Sequence, residues 1–139
     1  MTDTRSSATD FPLADRTVLL ADDEARLRQV VTMMVQELGA RVVDVASSEQ
    51  AIDTYRRQPS GFDVVLLDMR MNGMDGKDAF REIRRLDPGA RIVITSGVRP
   101  DRTFLQELEQ AGGAFIEKPF DMEKLGSVLT RVMTGGGAP

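Results

Sequence analysis

The chain has 139 residues, 41% hydrophobic and 29% charged, which is enough for one well-filled core and too few for two ordinary domains. A net charge of -4 with Lys and Arg scattered among acids speaks against a nucleic-acid footprint, and no apolar run nears the about 20 residues of a membrane span. With neither Cys nor His, the chain has no disulfide, no thiolate chemistry, no zinc-binding imidazole and no histidine base, so any phosphohistidine must belong to a partner. The first residues, MTDTRSSATD, are polar and unlike a signal sequence, which makes a cytoplasmic protein the simplest expectation.

Residues 1 to 14 are rich in Ser, Thr, Asp and Ala without periodicity and are expected to form a disordered tail, as are residues 135 to 139. Between the tails, over residues 15 to 134, a strand pattern and a helix pattern alternate five times. Thr17 to Ala21 is the first strand, and Glu24 to Leu38 the first helix, with Leu27, Val30, Val31, Met34 and Leu38 on one stripe. Gly39 is its stop signal, and Met33 and Met34 are read as core filler. Arg41 to Val45 is the second strand, and Ser47 with Gln50 three residues on is a capping box that opens a helix to about Gln58.

The third strand is the uninterrupted run Val64 to Leu67, as expected of a strand buried on both faces, and it ends at Asp68. Asn72-Gly73 then suits a tight turn. Asp75 to Leu86 reads as the third helix, burying Ala79, Phe80, Ile83 and Leu86 before Asp87-Pro88-Gly89 breaks it. Arg91 to Thr95 is strand four, Pro100 to Ala111 helix four, and Ala114 to Glu117 strand five; Asp121 caps the last helix. Five βα units in a row predict an α/β, doubly wound, flavodoxin-like (βα)5 sandwich with a parallel sheet in the order 2-1-3-4-5.

That order decides what meets at the carboxyl edge of the sheet. Asp22, Asp23 and Glu24 follow strand one, Asp68 strand three, Ser96 and Gly97 strand four, and Lys118 and Pro119 strand five. Strands one and three are neighbours at the switch point, so Asp22, Asp23 and Asp68 converge there. Three carboxylates in one crevice either raise a pKa or hold a hard divalent cation suited to oxygen ligands, Mg²⁺, and we favour the cation. Lys118 brings a positive charge to the same rim and Ser96 a hydroxyl. A nucleophilic carboxylate, a cation seat, a lysine and a hydroxyl are the parts phosphoryl transfer needs, so an acyl phosphate on one Asp is expected.

The motifs LLADDE (Leu19 to Glu24), LLDMRMNGMDG (Leu66 to Gly76), ITSG (Ile94 to Gly97) and EKPF (Glu117 to Phe120) stand in order at these strand ends. Over about residues 16 to 134 the chain resembles the receiver domains of bacterial two-component response regulators, the chemotaxis-regulator-like family. The resemblance implies that Asp68 is the phosphoacceptor, that Asp23 ligates Mg²⁺ directly and Asp22 through water, and that the backbone carbonyl of Arg70 completes the protein's share. It further implies that Ser96 is the switch hydroxyl, Lys118 the conserved lysine, Lys118-Pro119 a cis peptide and Phe115 the aromatic switch. The partners implied are a histidine kinase or a histidine phosphotransfer protein, and a downstream protein bound by the surface of helix four, strand five and helix five. Neither nucleic acid nor membrane is engaged directly, and a monomer or weak dimer is expected.

Three positions depart from the family. Asn72 replaces a usual Pro, and the expectation is a looser loop after Asp68. Arg70 places a cation two residues past the acceptor, and Phe115 lacks the hydroxyl of the commoner Tyr. Two rivals follow from the same residues: a pseudo-receiver that keeps the fold without phosphorylation, and a haloacid-dehalogenase-like phosphatase, which wants an acid where this chain has Arg70. No length for an output domain follows Met133, so either a stand-alone receiver or one cut from a hybrid kinase is expected, and the start at Met1 favours the former.

Overall fold

The computed structural model describes residues 11–135. Five strands, β1 (Thr17–Ala21), β2 (Arg41–Val45), β3 (Val64–Asp68), β4 (Ile92–Ser96) and β5 (Ala114–Glu117), form one parallel sheet in the order β2-β1-β3-β4-β5. The intervening helices are α1 (Ala25–Glu37), α2 (Ser48–Arg57), α3 (Gly76–Leu86), α4 (Arg102–Gln110) and α5 (Met122–Met133). This is the doubly wound architecture that the five alternating units predict.

The central strand shows why the layers form. Side chains alternate across a strand, so Val64 and Leu66 face one side of the sheet and Val65 and Leu67 the other. The first pair packs with Val31, Val35 and Leu38 of α1 and with Leu125, Leu129 and Val132 of α5. The second joins Ile52 of α2, Ile83 of α3 and Phe104 and Leu108 of α4. A strand with helices on both faces has no polar side, which accounts for the unbroken apolar run before Asp68.

Several expectations need correction. Val30 and Met33 are exposed, whereas Val35 is wholly buried. The inward stripe of α1 runs through Val31, Val35 and Leu38, and at about 100° per residue Val30 falls at its margin and Met33 well outside it. Leu86 is also exposed, because it is the last residue of α3 and overhangs the core that Ile83 enters. Within the expected N-terminal tail, Leu13 is fully buried in the α1/α5 layer and its N–H donates to the carbonyl of Leu38 at 2.9 Å. Residues 1–10 and 136–139 of the two expected tails lie outside the described residues.

Four of the five helices, α2 to α5, open on side-chain caps. Ser47 accepts from the N–H of Gln50, Asp75 from Asp78, Asp101 from Phe104 and Asp121 from Lys124, each relieving one of the free donors of a first helical turn. Gln50 reaches back to the N–H of Ala46 at 2.8 Å, one residue before the cap. The approach of α3 to β3 depends on Gly76. Its N–H donates to the carbonyl of Met69 at 2.9 Å, and a Cβ at this position would strike the carbonyl oxygen of Asp68 and lie 2.9 Å from Met69 Cα. Gly76→Ala should therefore destabilise the fold by about 1–3 kcal/mol, the usual cost of overpacking, as read from urea denaturation. An unchanged midpoint would show that α3 can retreat from the strand end without penalty.

Candidate functional site

The carboxyl edge of the sheet gathers acids from two adjacent strands. Asp22 follows β1 directly and Asp68 closes β3; both are buried, at 3% and 8% exposure, whereas Asp23 is half-buried. One carboxylate oxygen from each of Asp22, Asp23 and Asp68 lies within 4.8 Å of the other two. A Mg²⁺ with ligands at about 2.1 Å spans about 4.2 Å between opposite oxygens, so this all-oxygen donor set fits such an ion with little movement.

Each acid is held differently. Asp22 Oδ1 accepts from the N–H of Glu24 at 2.9 Å, and Asp23 Oδ2 from the N–H of Asn72 at 2.7 Å. Asp68 Oδ1 accepts from Lys118 Nζ at 2.7 Å, and the same ammonium stands 3.9 Å from Asp22 Oδ2. The lysine reaches both because β5 delivers it across the end of β4, where the N–H of Lys118 donates to the carbonyl of Ser96 at 2.8 Å. The Lys118–Pro119 peptide is cis.

Burial pushes the Asp68 carboxyl above its ordinary range, and the charges of Asp22 and Asp23 push the same way; the hydrogen bond and charge of Lys118 oppose them without prevailing. The cluster therefore carries more negative charge than one lysine neutralises, the electrostatic condition for attracting a cation.

Other expected residues are arranged less simply. Ser96 is buried, but its hydroxyl oxygen accepts from the N–H of Val98 at 3.1 Å, turned to its own loop. The hydroxyl beside Asp68 is that of Thr95, which donates to Asp68 Oδ1 at 3.5 Å, the long limit of such a bond. Sequence reasoning passed over Thr95, although parallel pairing puts it directly opposite Asp68, and a register drawn from the two apolar runs would have found it. Phe115 is half-buried against the α2/α3/α4 layer, and it lines a cavity of about 390 Å³ with Arg99, Glu117 and Lys124. Arg70 is exposed. Where proline has no N–H, Asn72 supplies one that joins the loop to Asp23.

The sequence model of the family described as "Response regulator receiver domain" matches residues 18–130. The chemotaxis protein CheY of Thermotoga maritima is 28% identical over 116 residues, covering 83% of this chain and 95% of the relative. Ethylene receptor 2 of Oryza sativa subsp. japonica is 31% identical over 119 residues, 84% of this chain but 16% of the receptor. Among solved structures, the receiver domain of a sensor histidine kinase from Pseudomonas aeruginosa PAO1 is similar with a TM-score of 0.75 at 31% identity. It covers 87% of this chain and 99% of that one, and carries a magnesium ion coordinated in its active site cleft.

The raised Asp68 carboxyl has a consequence for stability. A folded-state pKa above the unfolded value confers stability that is complete below the unfolded value and is lost as pH rises through the folded one. Once ionised, and without a divalent cation, Asp68 is thus a cost to the fold. Asp68→Asn should melt a few degrees higher than wild type at pH 7 in chelator, and the gap should narrow toward pH 4. Scanning calorimetry at the two pH values checks this, and a variant less stable than wild type at pH 7 contradicts it.

Proposed function

The chain belongs to the response regulator receiver domain family, a signalling module of two-component systems, and from that premise we propose that Asp68 is its phosphoacceptor. The observation that carries the reading is the meeting of Lys118 and the Asp22/Asp23 pair around the Asp68 carboxylate. The receiver unit is taken to span residues 15–134. No described helix is long and apolar enough to cross a membrane, and we place the domain in the cytoplasm, where a kinase would present its phosphohistidine.

In the proposed transfer, a carboxylate oxygen of Asp68 attacks the phosphorus of a partner's phosphohistidine. An O–P bond forms, the N–P bond breaks, and its electron pair stays on the imidazole nitrogen of the donor. Asp22, Asp23 and Asp68, with the carbonyl of Arg70, would hold Mg²⁺, which when bound offsets negative charge on the transferring phosphoryl oxygens. Lys118 already stands within hydrogen-bond distance of the acceptor carboxylate and would follow a phosphoryl oxygen placed there. For the Ser96 hydroxyl to reach the phosphoryl group it must release the N–H of Val98, and Phe115, paired with Ile94 on the next strand, is only half-buried. These two residues are proposed to couple the acceptor to the face formed by α4, β5 and α5, where a downstream protein would dock.

Mass spectrometry after incubation with acetyl phosphate and Mg²⁺ tests the assignment. Wild type should gain one alkali-labile, hydroxylamine-labile phosphoryl group and Asp68→Asn none, whereas Lys118→Ala should be labelled about 100-fold more slowly, the usual cost of losing one aimed donor. Equal labelling of Asp68→Asn, or an unlabelled wild type, rejects the phosphoacceptor role.

A further inference from the structure

The peptide that joins Asp22 to Asp23 is gripped by a side chain from the next helix. Arg28 Nη1 donates to the carbonyl oxygen of Asp22 at 2.7 Å, while Nε of the same guanidinium donates to Asp44 Oδ2 at 3.0 Å. The three partners come from three elements: the loop after β1, the first turns of α1, and the edge strand β2. The Arg28 side chain is only 20% exposed. Because a guanidinium is a planar fork, occupying two of its donors fixes its orientation as well as its position.

The grip matters because of what lies on either side of that peptide. A peptide unit is planar and rigid, so its rotation swings both flanking residues together. Here the flanking residues are two of the three acids in the crevice. The N–H of Asp22 is tied to the carbonyl of Val45 at 3.2 Å, extending the β1–β2 ladder by one step, and α1 does not begin until Ala25. The Asp22 carbonyl accepts neither within the sheet nor within the helix, whose first bond runs from the N–H of Arg28 to Glu24. Arg28 supplies a donor at a joint that neither element secures.

We propose that Arg28, anchored by Asp44, is a positioning residue that holds the Asp22 and Asp23 carboxylates in register for Mg²⁺. The assignment rests on the reading of the acidic crevice given above. It concerns affinity for the ion rather than the phosphoryl step: Arg28 touches neither the acceptor carboxylate nor Lys118.

Titration calorimetry of Mg²⁺ into the full chain tests this without recourse to phosphorylation. Arg28→Ala should weaken binding about tenfold, within the range usual for groups that orient a metal's ligands. Arg28→Lys, which can reach one acceptor but not fork to two, should recover part of the loss. Asp44→Asn should weaken binding less than Arg28→Ala and add nothing in the double variant, since it acts only through the arginine. Arg16→Ala is the control, because the Arg16–Asp63 ion pair stands at the opposite end of β1 and should leave Mg²⁺ affinity unchanged. Circular dichroism verifies folding, and if Arg28→Ala fails it, Arg28→Lys and Asp44→Asn decide by the same criterion. Wild-type affinity in the folded variants, or an equal loss in Arg16→Ala, overturns the inference while leaving the crevice reading intact. A wild-type chain that takes up no Mg²⁺ removes both.

Discussion

The contact on which the structure's chemistry depends is the 2.7 Å ion pair between Lys118 and Asp68. Burying a carboxylate beside two others is unfavourable, and the raised Asp68 carboxyl shows that one lysine does not remove the cost. The fold sets the pair by strand order alone. Asp68 ends the central strand of the sheet, the acid pair follows its neighbour on one side, and the lysine arrives from two strands away on the other. What remains is a crevice with unsatisfied negative charge at its mouth and a cation at its base.

Much of this was legible in the sequence because parallel sheets buried on both faces write themselves as short unbroken apolar runs, and the residue ending each run is forced to the carboxyl edge. Asp22, Asp23, Asp68 and Lys118 were found that way. The misreadings share a different cause. Val30, Met33 and Leu86 belong to helices, where an apolar residue one step from the stripe or one turn past the core looks like its neighbours until packing is known. Leu13 sits in a segment too short for any periodicity, and only its burial against α1 and α5 reveals it. Thr95 and Ser96 are adjacent hydroxyls, and motif position favours the second while pairing register puts the first next to Asp68.

Asn72 shows how a departure from a family pattern acquires meaning from geometry. Read as a sequence, the loss of a proline loosens a loop. In the fold, the backbone N–H that proline would lack donates to Asp23 Oδ2 at 2.7 Å, so the loop following Asp68 is joined to the acid pair following Ala21. Asp22 is likewise held by a backbone donor, the N–H of Glu24. Neutral donors orient these carboxylates without neutralising them, as arginines in their place would. The acid pair is thereby kept aligned and negatively charged, and the single lysine makes its short contact, 2.7 Å, with Asp68 while standing 3.9 Å from Asp22. A crevice organised by backbone N–H groups keeps its attraction for a cation, and that attraction is what the ion pair at its base leaves unspent.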